Sequence, residues 1–117
     1  MMVAKDKPQA KASGPFPPTA SGIEDGLRWE EVSIFGGTYR ISEITTDEDD
    51  AAWDAAELPD DKYSNRILSR MQLVASIKSP KTGMDDLGRM SKVKVQALYY
   101  VHNRLNMLPA ADAEGNA

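Results

Sequence analysis

The most regular pattern of apolar and polar positions in the chain runs from Asp60 to Pro80. Apolar side chains recur there at steps of three and four residues, which is the spacing of one face of an α-helix. That face comprises Tyr63, Ile67, Leu68, Met71, Val74 and Ala75. An acidic residue after Pro59 is suited to cap the helix, and Pro80 cannot continue it. The pattern therefore predicts a central helix over 60–80.

Alternating apolar and polar side chains over 27–44 predict a β-hairpin ahead of that helix. The apolar positions are Val32, Ile34, Tyr39 and Ile41. Gly36 and Gly37 lie between them and tolerate the positive φ angles of a tight turn. Because two strands alone are barely stable, the hairpin is expected to lie on the helices or to pair with another chain.

A second helix is predicted over 46–58, where a run of acidic residues follows two threonines. Thr46 is the expected N-cap and Asp49 its partner in a capping box, and the acidic first turn complements the helix dipole. The expected buried face comprises Ala52, Trp53 and Ala56. Adjacent carboxylates point in different directions on a helix, so capping is favoured over a cation site.

A last helix is predicted over 91–108, with Pro109 ending it. Its apolar stripe comprises Val95, Leu98, Val101, Leu105 and Leu108. The connection that precedes it contains a proline and two glycines, and its apolar side chains are expected to cover one end of the core. Those side chains are Met84, Leu87 and Met90.

The two ends of the chain are too polar to add much core. Residues 1–27 hold four prolines and few aliphatic side chains, which predicts a flexible arm. A short extended docking motif around Phe16 is the alternative for part of that arm. Residues 109–117 predict a flexible tail. The expected fold is mainly α: a small domain over 28–108 with about three helices, an N-terminal β-hairpin and flexible tails.

Charge divides the chain into two parts, although its net charge is only −4. Residues 43–61 contain nine acidic residues and no basic one, whereas residues 62–104 contain nine basic residues and two acidic ones. One interpretation is that the acidic segment lies against the basic helices of the same subunit. The other is a homo-oligomer in which identical subunits pair head to tail, acidic surface on basic.

Candidate catalytic chemistry is sparse in this sequence. There is no cysteine for a disulfide or a thiolate metal site, and no glycine-rich phosphate loop. His102 is the single histidine and lies between apolar positions of the last predicted helix, where packing is commoner than catalysis. We therefore expect a protein that is not an enzyme, without catalytic, cofactor-binding or metal-binding residues.

Nucleic acid and membranes are also disfavoured as partners. A basic face with Tyr99 or Tyr100 for stacking is conceivable on the last two helices, but the negative net charge argues against general nucleic-acid affinity. No apolar run approaches the ~20 residues that span a bilayer, and the N-terminus lacks the apolar core of a signal peptide. We therefore expect a cytosolic protein.

Three segments carry a resemblance to a known family: TYRISEIT at 38–45, LVASIKSP at 73–80 and VQALYYVHNRLN at 95–106. Together, over about residues 36–107, they resemble the tail assembly chaperones of long-tailed bacteriophages. The resemblance implies a mainly helical, non-enzymatic protein of the host bacterial cytoplasm. It also implies that the partners are the tape measure protein, which such chaperones keep soluble, and the tail tube protein, which they help to recruit.

A chaperone of this kind is expected to hold a partner helix against the apolar faces of its own helices. The expected partner-binding residues are Ile67, Met71, Val74, Leu98, Tyr99 and Leu105. The proline-rich arm and the strand before Gly36 have no counterpart in the resemblance. They favour an alternative, a structural virion component such as a head–tail connector that binds neighbouring subunits.

Overall fold

A computed structural model of the protein describes residues 14–108, and within them it contains two antiparallel sheets and four α-helices. The strands are β1 Ala20–Glu24, β2 Leu27–Ile34, β3 Gly37–Ser42, β4 Glu57–Leu58, β5 Lys62–Tyr63 and β6 Ile77–Ser79. The helices are α1 Thr46–Ala56, α2 Asn65–Ser76, α3 Met84–Arg89 and α4 Lys92–Asn106. The larger sheet has the strand order β1-β2-β3-β6, and β4 pairs with β5.

The fold is therefore α+β, with 46% helix and 27% strand over residues 14–108, and the expectation of a mainly α fold is wrong. Two edge strands account for the difference. The side chains of β1 are largely exposed, so its strand conformation comes from backbone pairing with β2 and leaves little hydrophobic pattern. β6 follows α2 directly, and its Ile77 continues the apolar pattern of that helix. The sequence pattern therefore predicts helix where the structure has β6.

Two tight hairpins build the larger sheet. The hairpin predicted over 27–44 is confirmed, with Ile34 opposite Gly37 and positive φ at Phe35 and Gly36, one position earlier than expected. A second hairpin joins β1 to β2 through Asp25 and Gly26, both also with positive φ. Asp-Gly favours a tight hairpin turn, but the largely exposed residues before it carry too little hydrophobic alternation to predict β1 by themselves.

The N-cap of the acidic helix α1 lies one residue earlier than predicted. Thr45, not Thr46, is the N-cap, and its hydroxyl accepts from the Glu48 backbone N–H at 3.0 Å. Glu48, not Asp49, completes the capping box by accepting from the Thr45 N–H at 2.9 Å. Ala52 and Ala56 are buried as expected, but Trp53 is 41% exposed and packs edge-on against Tyr63.

The central helix α2 is shorter at both ends than the predicted 60–80. Asp60 and Asp61 have positive φ, which a right-handed helix cannot accommodate, and they turn the chain between β4 and β5. Ser64 caps the helix instead, accepting from the Ile67 N–H at 3.2 Å. The buried side chains of α2 are Leu73 and Ser76, whereas the predicted apolar stripe is only half-buried within it.

One hydrophobic core lies between the larger sheet and the helices. α4 crosses the inner face of β2 and β3, and α2 contacts α3, α4 and β6. α1 packs mainly on α2. The fully buried centre of the core comprises Val32, Ile34, Ile41, Leu73, Leu98 and Val101. Leu105 and Leu87 are buried as expected, but Val95 is half-buried and Leu108 is 94% exposed.

The segment before β1 lies against α4. The Arg104 guanidinium donates to the carbonyl oxygens of Pro15 at 2.9 Å and Phe16 at 2.8 Å, and it also pairs with Glu30 at 2.6 Å. The half-buried Phe16 ring packs near Phe35 and Tyr100. The flexible arm predicted over 1–27 thus overlaps a docked segment and a strand; 1–13 and the predicted tail 109–117 lie outside the described residues.

Candidate partner-binding groove

A groove of about 400 Å³ opens on the helical side of the molecule, between α2, α3 and α4. α2 contributes Arg66, Ser69 and Arg70 to its lining. Leu87 and Gly88 come from α3, and Met90 from the short link after it. α4 contributes Lys92, Val95, Gln96 and Tyr99. Three helices that are distant in sequence therefore form one open surface.

The rim of the groove is basic. Arg66 and Arg70 lie one turn apart on α2, and Lys92 is the first residue of α4 on the other wall. None of the three has an ion-pair partner among residues 14–108. The basic side chains that do form ion pairs lie outside the groove; they are Arg28, Arg40, Lys78, Arg89 and Arg104.

The floor of the groove is mainly apolar. Leu87 is buried, while Met90, Val95 and Tyr99 are half-buried and pack against the core. Gly88 leaves open space beside them, because a Cβ atom placed on it would meet nothing within 4 Å. The groove therefore offers an apolar surface between its two basic walls, which apolar side chains of a partner can cover.

The predicted partner-binding residues do not form one surface. Leu98 and Leu105 are core residues, 0% and 3% exposed, so a partner cannot contact them while the protein is folded. Ile67, Met71 and Val74 are half-buried on α2 and do not line the groove. Tyr99 alone of the predicted set lies in it.

Several groove residues carry a visible sequence signal, but for another role. Leu87 and Met90 suit a core cover, Val95 belongs to the stripe of the last helix, and Arg66 and Arg70 belong to a basic face. Their convergence depends on how α2 packs against α3 and α4, and no periodicity within one helix contains that information.

The acidic segment does contact its own subunit. Lys78 pairs with Glu48 at 3.0 Å, and Gln72 donates to Asp49 at 2.7 Å. Burial raises the pKa of Glu48, but hydrogen bonds from Thr45 and the Lys78 ammonium outweigh it and hold that pKa below its usual range. Part of the acidic segment is thus paired with polar and basic groups of the same subunit. The groove cations Arg66, Arg70 and Lys92 take no part in these contacts.

A second, polar cleft of about 400 Å³ lies between the start of α1 and the end of α4. His102 is buried beside it, and burial lowers its pKa, so the ring is neutral near pH 7. Its Nδ1 lies 3.2 Å from Asn106 Nδ2, an amide nitrogen that can only donate. Within 14–108, His102 has no hydrogen bond to a hydroxyl or a carboxylate, so it forms no nucleophile–base pair there.

Metal-binding and membrane-spanning features are not found within residues 14–108. This part of the chain has no cluster of three or more His, Cys, Asp or Glu side chains suited to a metal ion. It also contains no helix of the length and apolar character needed to cross a bilayer. Comparison of the chain with protein-family models, with curated proteins and with solved structures finds no match. Fold and surface thus describe a small α+β domain with an open, basic-rimmed groove.

Proposed function

We propose that the protein is a tail assembly chaperone of a long-tailed bacteriophage. In this role it binds the tape measure protein in the cytoplasm of the host bacterium, keeps it soluble and helps to recruit tail tube subunits. The proposal rests on the resemblance over 36–107 and on one structural observation, the groove between α2, α3 and α4. A helical segment of a partner is the natural occupant of an apolar groove between helices.

A binding role agrees better with the chemistry of the chain than an enzymatic one. The groove has an apolar floor with an adaptable methionine, Met90, and no acidic side chain in its lining. His102 is engaged with Asn106, and Asp49, the carboxylate in the polar cleft, accepts from Gln72. Contacts of this kind are typical of polar side chains with a structural role.

A structural virion component is the second candidate, supported by the edge of the larger sheet. Among the described residues β1 is paired on one side only, with β2, and its Ile23 is 71% exposed. An exposed edge strand is a site where a neighbouring chain can add a strand of its own. In that case the docked segment before β1 and the edge itself would form contacts between subunits.

Blocking the groove tests the chaperone proposal. Gly88→Trp is expected to weaken binding of a tape measure fragment at least about tenfold, because the indole fills open space above the apolar floor. Val93→Asp is the matched control, since Val93 is 59% exposed and lies on α4 outside the groove. Affinity is measured by titration calorimetry and folding by circular dichroism. If folded Gly88→Trp binds the fragment as tightly as the unsubstituted protein does, the groove is not the binding site.

Mass spectrometry of purified virions, beside the infected-cell lysate, separates the two candidate functions. A chaperone is expected in the lysate and not in the particle, because it leaves before the virion is complete. A fixed copy number in the particle would contradict the chaperone role and favour the virion component.

A further inference from the structure

Resting on the proposed function, we propose that the occupant of the groove is an acidic amphipathic α-helix, with carboxylates on both sides of an apolar stripe. The first reason is that the basic side chains around the groove lack ion-pair partners within residues 14–108. Arg66, Arg70 and Lys92 have no ion-pair partner there, although acidic side chains are abundant in the molecule. Three cations that are unpaired within the described part of the chain thus lie around one concave surface.

The second reason is the arrangement of these cations. Arg66 and Arg70 lie on the α2 wall, and Lys92 lies on the α4 wall. Positive charge on both walls fits a partner with negative charge on both of its flanks. The lining residues of α4 run from Lys92 to Tyr99, a length of about 11 Å, so the groove accommodates about two turns of a partner helix.

The third reason is the apolar floor. Met90, Val95 and Tyr99 lie between the basic walls, so the central stripe of the partner must be apolar to cover them without burying polar groups. Leu, Ile and Met side chains at positions i, i+3, i+4 and i+7 meet that requirement. The open space beside Gly88 leaves room for a large side chain.

A nucleic acid would meet the cations but not the floor. Phosphates would face half-buried apolar side chains at Met90 and Val95, which charged groups cannot cover favourably. The protein's own acidic helix α1 also packs against α2, but on a different side of α2 from the groove. Gln72, which bonds α1, is about 120° around α2 from Arg66, which lines the groove.

Two synthetic helical peptides of about 18 residues test the proposal with the full chain. Both carry leucines at i, i+3, i+4 and i+7; one has glutamates on both flanks and the other has lysines at the same positions. The glutamate peptide is expected to bind at least about tenfold more tightly, and Arg66→Glu with Arg70→Glu is expected to reverse that preference. Fluorescence anisotropy measures both affinities.

The matched control is Lys62→Glu with Lys81→Glu, which changes the net charge equally. Both lysines are exposed and lie outside the groove, so this variant is expected to retain the preference for the glutamate peptide within about threefold. Equal affinities of the two peptides for the unsubstituted protein would overturn the proposal. So would tighter binding of a single-stranded oligonucleotide than of the glutamate peptide, if that binding depends on Arg66 and Arg70.

A tape measure fragment separates this inference from the proposed function. If the fragment binds the unsubstituted protein and the Arg66/Arg70 double variant equally well, the acidic-helix inference fails and the chaperone proposal stands. If the fragment does not bind the unsubstituted protein, the chaperone proposal fails, whichever peptide is preferred. Reduced binding of the fragment by the double variant alone, and not by the control, supports both.

Discussion

Asn106 shows at the scale of one residue how the end of α4 is joined to the sheet. Its Oδ1 accepts from the Ile44 backbone N–H at 2.8 Å, and its Nδ2 donates to the carbonyl oxygens of Ser42 at 3.2 Å and His102 at 2.9 Å. One side-chain amide therefore satisfies backbone groups of the strand end, the connection to α1 and its own helix.

Replacing Asn106 by alanine tests this joint. Asn106→Ala is expected to lower the free energy of unfolding by about 1–3 kcal/mol, because the partly buried Ile44 N–H loses its acceptor. Asn103→Ala on the exposed side of the same helix is the control and is expected to change it by less than about 0.5 kcal/mol. Urea denaturation measures both. Equal effects of the two substitutions would show that the amide contacts add no stability.

Helix starts illustrate the scale of the element. α1, α2 and α4 each follow a Ser or Thr whose hydroxyl accepts a backbone N–H: Thr45, Ser64 and Ser91 respectively. The residue types that cap helices are thus visible in the sequence. Which of two adjacent threonines caps α1 depends on backbone geometry, because the N-cap must have extended φ and ψ, as Thr45 has.

The adjacent threonines provide a matched pair for a test of that assignment. Thr45→Ala is expected to destabilise the protein by about 1 kcal/mol, since it removes the side-chain half of the capping box. Thr46→Ala is expected to have an effect within about 0.5 kcal/mol, because Thr46 is exposed and lies inside the helix. Thermal denaturation compares the two. A larger loss at Thr46 would reassign the cap.

At the scale of the whole molecule, folding stability depends on pH through groups whose pKa values change on folding. Burial lowers the pKa of His102, so the unfolded chain takes up this proton first as the pH falls. Stability from the neutral ring is complete above about pH 6.5 and decreases as the pH falls below it. Backbone and side-chain hydrogen bonds with Arg28 lower the pKa of Glu43, and that of Glu48 is lowered as well, so both stabilise the fold above their usual pKa values.

A titration of stability checks the sign of the histidine effect. Between pH 7.5 and pH 5.5 the free energy of unfolding is expected to fall, by no more than about 1.4 kcal/mol per pH unit for one proton. In His102→Gln, which cannot take up that proton, this fall is expected to be smaller. The further decrease below about pH 4.5 is expected in both proteins, because Glu43 and Glu48 are retained. An unchanged slope in His102→Gln would exclude His102 as its cause.

The groove also belongs to the scale of the whole molecule. Arg66 and Tyr99 are 33 positions apart, yet both line it, because α2 packs against both α3 and α4. Within one helix the hydrophobic period separates core-facing from solvent-facing positions, and it placed Leu98, Val101 and Leu105 correctly in the core. It could not separate a core position from a partner-binding one, which is why Leu98 and Leu105 were expected in the site.

The sequence by itself determined those features of this protein that depend on neighbours along the chain. They are the β2–β3 hairpin, the presence of the acidic helix and the last helix, and the absence of any cysteine chemistry. Only the tertiary structure decided that β1 and β6 extend the hairpin into a four-stranded sheet and that Arg66, Arg70 and Lys92 lie around an apolar floor. Edge strands and grooves arise from contacts between segments that are distant in sequence. A local pattern of side chains does not indicate the free energy of such contacts.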